Sequence, residues 1–200
     1  MIGKMKIKIL LIILVSIFYS NSSLFPQGFL PPPKGKAVVY FVRNKYYYGI
    51  PISYIHNNNY IGELKGRDYL RYECDTGEQL FWTYTIHKPL FIRAELKEGG
   101  TYLVNYGTSV HGPGTFLGPG KAEIELFPVT PYSKDVFEES KKLIHKKAPV
   151  VVPRDTIVLM NKTMKKEINK TLEKFNSQWQ HEGKFRQMTR DMAIPTEFMK

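Results

Sequence analysis

The stretch KAVVYFVR, residues 36–43, decides the fold class of this chain. Between its first lysine and its final arginine it is an unbroken run of alanine, β-branched and aromatic residues. A run of this length and composition is typical of a strand that is buried on both faces. The stretch therefore predicts a central β-strand.

Short β-like segments continue downstream of this strand. The segments GIPISYIH and YIGELK flank the triplet Asn57 to Asn59, and asparagine favours tight turns and positive φ, so residues 50–65 are predicted to form a hairpin. The segment DYLRYEC, which ends at Cys74, is predicted to be the third strand of that meander.

Four further segments extend the β pattern, namely EQLFWTYTIH, PLFIRAEL, TYLVNYG and KAEIELF. In PLFIRAEL every second residue from Leu90 to Leu96 is apolar, while Arg93 and Glu95 point to the other face, as in a half-buried strand. About eight strands at this spacing predict a mainly β, mostly antiparallel sandwich or barrel-like domain over residues 36–131.

After Pro131 the alternation of apolar and polar residues gives way to a helical spacing, and residues 132–200 are predicted to form a basic helical C-terminal extension. Ser133 to Lys147 has a capping serine, acidic residues near its start and lysines at its end, which is the charge order that a helix dipole favours. A second amphipathic helix is predicted over residues 155–180. Its apolar stripe must be buried on the β-domain or on a partner. The residues of this stripe are Met160, Met164, Ile168, Leu172, Phe175 and Trp179.

The N-terminal residues have the layout of a secretory signal peptide. Three lysines precede the apolar run ILLIILVSIFY, and small residues follow it, so residues 1–23 are predicted to be a leader that is cleaved near Ser22 or Ser23. An uncleaved anchor is the alternative. No cysteine stands directly after the apolar run, where a lipid would be attached, so the expected location is secreted or periplasmic without a lipid anchor. Residues 24–35 form a Pro-rich lead-in.

The charge of the chain is concentrated in its tail. The full chain carries a formal net charge of +11, and residues 133–200 hold 15 basic and 9 acidic residues. A solvated surface is the ordinary meaning of such a balance, and contact with anionic polymers or with a membrane surface is the alternative. We expect no nucleic-acid partner.

The order of several short motifs resembles the domain-of-unknown-function family numbered twenty-eight forty-six. The motifs are GKAVVYFVR, NNYIGEL, the Tyr69-Leu70 pair and ELKEGGTYLV, and the resemblance covers about residues 34–131. The resemblance implies a small bacterial exported β-domain of a kind that is often a lipoprotein. Here the turn Asp75-Thr76-Gly77 replaces the family's Pro-Gly turn, and the lipid-anchoring cysteine is absent. The family supplies no reaction and no functional residues.

No chemical motif in the sequence predicts catalysis. The only cysteine, Cys74, lies between two acidic residues, which would raise the pKa of its thiol. The glycine-rich stretch GTSVHGPGTFLGPGK fails the phosphate-loop spacing, and the five histidines are far apart without a metal-ligand pattern. We expect no cofactor and no metal. A hydrolase or thiol enzyme that uses Cys74 or His111 is the alternative.

The most suggestive binding residues are aromatic and amide side chains in two predicted loops: Tyr46, Tyr47, Tyr48, Asn58 and Tyr60. Tyrosine and asparagine are common in binding loops, although filling of the core below a loop is the ordinary alternative. The sequence thus predicts an exported, non-enzymatic binding or interaction module of the bacterial envelope or extracellular space, with a protein or glycan partner. A third alternative is a structural protein that docks through its amphipathic helix.

Overall fold

The computed structural model describes residues 28–45, 50–85, 88–111 and 121–200, with the backbone alone at 108–111 and 121–123. The predicted leader lies outside this range. The described residues form nine strands: β1 (Lys36–Val42), β2 (Ile52–His56), β3 (Asn59–Leu64), β4 (Tyr69–Asp75), β5 (Gly77–Tyr84), β6 (Leu90–Leu96), β7 (Thr101–His111), β8 (Lys121–Val129) and β9 (Arg186–Met188).

The strands make two sheets that pack face to face. Sheet 1 has the order β4-β1-β7-β8, and sheet 2 has the order β3-β2-β5-β6-β9. Most neighbours are antiparallel, but β1 pairs with β7 and β6 pairs with β9 in parallel. The predicted class, a mainly β sandwich-like domain with a C-terminal helical part, is confirmed.

The strand β1 is buried on both faces, as its sequence predicts. Val39 and Phe41 point between the sheets, where they join a core that includes Phe81 and Ile92 of sheet 2. Tyr40 and Val42 point the other way. Helix α1 (Lys134–Lys146) covers this outer face with buried side chains, and these are Phe137, Ser140, Leu143 and Ile144.

Helix α2 (Arg154–Lys174) covers part of the outer face of sheet 2 and continues into a π-helical turn, Phe175–Trp179. Its buried residues pack on the outward side chains of β2, β3, β5 and β6. The protein therefore has four layers, in the order α1, sheet 1, sheet 2 and α2. Each helix supplies the apolar cover that one sheet needs on its outer face.

The predicted hairpin over residues 50–65 is confirmed as β2 and β3. His56 pairs with Asn59, so Asn57 and Asn58 form a two-residue loop. Asn57 has a φ of 52°, which asparagine tolerates better than most side chains do. Its side-chain oxygen also accepts a hydrogen bond from the backbone N–H of Leu80 at 3.1 Å, which fixes the turn against β5.

Two local predictions are wrong. The strand β4 is not the third strand of the hairpin's meander, because it pairs with β1 in the other sheet. Consequently Asp75-Thr76-Gly77 carries the chain from sheet 1 to sheet 2 and closes no hairpin. Ser133 precedes α1, but its side chain makes no capping hydrogen bond. Its backbone carbonyl instead accepts the N–H of Phe137 at 2.9 Å.

The last 20 residues are tied to the sandwich rather than continuing the helical pattern. Arg186–Met188 forms β9 at the edge of sheet 2, next to β6. The side chain of Met188 is buried between the sheets. The backbone N–H of Ile194 donates to the carbonyl of Thr101 at 2.8 Å, which attaches the segment to sheet 1 as well.

Candidate functional site

The outer face of sheet 2 changes character along β5 and β6. The directly opposite pairs on this face are Trp82 with Phe91, Leu80 with Arg93, and Glu78 with Glu95. The aromatic pair lies below α2 and its π-helical turn, where Phe175 stacks on Phe91. The helix ends there, so the remaining pairs are left outside its cover.

The uncovered part of this face forms the floor of a cleft of about 450 Å³, which we call the polar cleft. The π-helical turn forms one wall, the β2–β3 turn forms another, and β9 closes the far side. Leu80 lies on the floor and Phe175 in the wall. The charged and amide residues around them are Asn57, Glu78, Gln79, Arg93, Glu95, Asn176, Gln180 and Gln187.

The charges of the polar cleft are balanced. The guanidinium of Arg93 lies over the ring of Phe185, 5.5 Å from its centroid, and makes no hydrogen bond within the described part of the chain. Glu95 is paired with Arg190 at 2.8 Å. No cation of the described residues lies within salt-bridge distance of Glu78. One guanidinium and one carboxylate are therefore available on a floor of no net charge.

Three amide side chains face the same space without internal partners. The side chains of Asn176, Gln180 and Gln187 make no hydrogen bond to any described residue. An amide offers both donors and acceptors. The cleft can therefore exchange several hydrogen bonds with a ligand without breaking bonds of its own.

A hydrogen-bond chain supports the wall at Asn57. The imidazole of His56 bridges the two sheets: its Nε2 is 2.7 Å from Oε1 of Gln79 and its Nδ1 is 2.9 Å from the hydroxyl of Tyr72. The side-chain nitrogen of Gln79 donates to two backbone carbonyls, those of Asp75 and Thr76. Its oxygen must then face His56 and accept, so Nε2 carries the proton.

The neutral state of His56 fits its surroundings. Burial lowers the pKa of this imidazole, and the hydrogen bond with Gln79 opposes the shift. Burial and the nearby Cys74 and Asp75 raise the pKa of Tyr72 to about 12, so the phenol keeps its proton and donates it to Nδ1. The ring of His56 also stacks on Phe81, with centroids 4.8 Å apart. These contacts describe a positioning element, not a reacting group.

The binding residues predicted from the loops do not come together as a surface. Asn58 is exposed at the tip of the β2–β3 turn. Tyr60 is only 4% exposed and packs below α2 with Ile55 and Trp82. Its backbone N–H donates to Oδ1 of Asn161 at 2.7 Å, which anchors the helix. Tyr46, Tyr47 and Tyr48 lie outside the described residues.

The predicted apolar stripe of α2 packs on this chain's own sheet. Met164, Ile168 and Phe175 are buried, and the partly buried members complete the same cluster; these are Met160, Leu172 and Trp179. The stripe is thus the inner face of the helix, and it is not available to another chain in this arrangement.

The thiol of Cys74 is a buried core group. Cys74 points between the sheets and is 4% exposed. Burial, assisted by the charge of Asp75, raises the pKa of the thiol to about 12. A thiol with such a pKa is protonated near neutral pH and is a poor nucleophile. The side chain of His111, the other residue of the predicted enzyme alternative, lies outside the described part.

A second cleft lies on the other side of the segment that leads to β9. Its volume is about 560 Å³, and its walls include Leu90, Ile124, Trp179 and Phe185. Three cationic side chains line it: Arg186 is paired with Glu125 and Lys184 with Glu182, while Lys88 has no salt bridge to a described residue. The polar cleft has the larger number of uncommitted polar groups, and sequence reasoning missed it because Arg93 and Glu95 have the pattern of an ordinary solvent-facing strand.

No protein-family model matches the chain, and no curated protein matches it significantly. Within the described ranges, no three His, Cys, Asp or Glu side chains are grouped so that they could hold a metal ion. No helix among these residues has both the length and the apolar character needed to cross a membrane.

Proposed function

We propose that this protein is an exported, non-enzymatic β-sandwich module that binds a neutral glycan in the polar cleft. One observation carries the proposal: the side chains of Glu78, Arg93, Asn176, Gln180 and Gln187 surround one space and have no hydrogen-bond or ion-pair partner among the described residues. A concave surface on which several polar groups converge beside an apolar side chain, here Leu80, fits a ligand site.

The balance of charge supports a neutral ligand. A strongly anionic or cationic ligand would leave Glu78 or Arg93 facing a like charge, and like charges close together are unfavourable. A glycan carries hydroxyl groups that both donate and accept, and its ring faces are apolar enough to pack on Leu80, which is half-buried on the floor of the cleft. The class of ligand is thus a hydroxyl-rich chain of sugar units.

The proposal is tested with an array of neutral oligosaccharides, followed by calorimetric titration of the saccharides that bind. Arg93→Ala and Gln187→Ala should each weaken binding by about tenfold, since each removes donors to a desolvated ligand. Arg154→Ala is the matched control, because Arg154 is an exposed arginine at the start of α2. Absence of saccharide binding, or equal losses in Arg93→Ala and Arg154→Ala, would refute the glycan proposal.

We also propose that the chain acts after export, on the basis of the leader-like residues 1–23. Mass spectrometry of the protein from its native host should find a mature N-terminus near Ser23 or Leu24. A chain that keeps Met1 and stays in the cytoplasm would contradict export. It would not affect the glycan proposal, which the saccharide titrations test separately.

A further inference from the structure

The outward face of α2 combines lysines with exposed apolar side chains. Lys162, Lys166 and Lys170 follow one another at intervals of four residues, so they form one ridge along the helix, which we call the basic ridge. Val158 and Leu159 are 62% and 61% exposed one turn before the ridge. Exposed apolar side chains are common on protein surfaces, but these two lie next to the basic ridge, so the face combines positive charge with apolar area.

The fold holds this face outward. Met164 and Ile168 are buried on sheet 2, and the helix is further fixed by the bond between Asn161 and the backbone of Tyr60. Lys166 lies about 160° around the helix axis from Ile168. The ridge spans about 12 Å, at 1.5 Å per residue. It is therefore a rigid surface.

The lysines of the ridge have no internal counter-charge. Within the described ranges, no carboxylate lies within salt-bridge distance of Lys162, Lys166 or Lys170. Acidic residues do occur on the helix, namely Asp155, Glu167 and Glu173, but six basic residues outnumber them. The electrostatic potential at this face is therefore positive, and an anionic surface is complementary to it.

We propose that the outward face of α2 docks on an anionic lipid bilayer surface. The basic ridge supplies attraction to the headgroups, and Val158 and Leu159 enter the boundary between headgroups and acyl chains, as in a helix that lies in the plane of a membrane. The apolar pair favours a bilayer over a soluble polyanion, because a polyanion in water offers nothing to bury these side chains. The docking needs no ligand in the polar cleft.

The test uses the full chain and sedimentation with two kinds of vesicle, phosphatidylcholine alone and phosphatidylcholine mixed with phosphatidylglycerol. Every variant keeps residues 1–27, so any contribution of that segment is common to all. The triple variant Lys162→Gln, Lys166→Gln, Lys170→Gln should lose at least about tenfold in partitioning to the anionic vesicles. The matched control removes the same charge from α1, through Lys141→Gln, Lys142→Gln and Lys146→Gln, and should change partitioning by less than about threefold.

A further variant separates a bilayer from a soluble polyanion. Leu159→Asn should weaken binding to anionic vesicles and leave binding to dextran sulfate unchanged. Equal losses in the two triple variants would overturn the proposal. So would an absence of preference for anionic vesicles, or a Leu159→Asn variant that binds them as the parent does. Glycan binding by the same variants should stay at the parent value, so this proposal and the proposed function can fail separately.

Discussion

The ring of Phe175 stacks on the ring of Phe91, with the two centroids 4.3 Å apart and the ring planes 25° apart. Phe91 belongs to β6, and Phe175 begins the π-helical turn that follows α2. The contact joins the helical extension to sheet 2 at the edge of the polar cleft. The extension is therefore part of the packed domain, and the position of the cleft wall depends on this aromatic contact.

Replacing Phe175 by alanine should destabilise the whole domain. The side chain is 2% exposed, and removal of a buried phenylalanine costs about 3 to 5 kcal/mol because it leaves a cavity. Urea denaturation followed by tryptophan fluorescence measures the loss. Val158→Ala, on the exposed face of the same helix, is the control and should change the free energy of unfolding by less than about 0.5 kcal/mol.

The elution volume of Phe175→Ala carries separate information. Since the stripe packs on the chain's own sheet, the variant should lose stability without dissociating from another chain. A variant with the stability of the parent and a smaller apparent size would show that the stripe serves an interface between chains instead.

The sequence predicted those elements whose signal is local. The strand β1 was predicted from its uninterrupted apolar run, the β2–β3 turn from Asn57, and α2 from its recurring apolar residues. Each of these signals has one physical meaning: burial on both faces, tolerance of positive φ, or one buried helix face. None of these predictions required knowledge of which distant segments pack on the element.

Features that depend on distant partners were not predictable in the same way. The strand β4 looks like the continuation of a hairpin, yet it pairs with β1, which precedes it by about 30 residues. The strand β9 has three residues, too few for any period. The polar cleft depends on the pairing of β4, on the presence of β9 and on the residue at which α2 ends. Arg93 and Glu78 become candidate ligand contacts only because the cover by α2 and its π-helical turn ends over the Trp82–Phe91 pair.

The stability of the domain should fall as the pH falls below the ordinary pKa of histidine, because of His56. Burial lowers the pKa of His56 from its ordinary value of 6.5, so the folded protein favours the neutral ring. The unfolded chain then takes up a proton at a higher pH than the folded protein does. The stabilising contribution of His56 is complete above pH 6.5 and is lost as the pH falls through the lowered pKa.

Thermal melting between about pH 7.5 and about pH 5 checks this dependence. His56→Gln should show a smaller fall in melting temperature over that range than the parent, while His181→Gln should behave as the parent does, because His181 is exposed. A His56→Gln variant with an unchanged pH dependence would show that other groups control it.

The thiol of Cys74 should be inert in the folded protein. With the pKa raised to about 12, only about one thiol in ten thousand is ionised at pH 8. Burial also blocks access to the sulfur. Alkylation with iodoacetamide, followed by mass spectrometry, should be slow in buffer and rapid in denaturant. Rapid alkylation in buffer would show that the thiol is accessible and reactive in the folded protein.

The guanidinium of Arg43 should be harder to replace by another cation than by a neutral side chain. Arg43 is fully buried, and its Nη1 donates to the carbonyls of Ile50 at 2.6 Å and Leu64 at 3.1 Å. It thereby joins the end of β1 in sheet 1 to the ends of β2 and β3 in sheet 2. Lysine keeps the charge, but its side chain is one atom shorter, so its ammonium cannot take the position of Nη1 between the two oxygens.

Arg43→Lys should therefore lose about 3 kcal/mol of stability, since it leaves a buried charge with incomplete hydrogen bonding. Arg43→Met should lose less, about 1 to 2 kcal/mol, because it leaves carbonyl acceptors unpaired but buries no charge. Arg67→Met, at an exposed position, is the control and should be close to the parent. If Arg43→Lys is the milder change in urea denaturation, charge rather than donor geometry holds the two sheets together at this end.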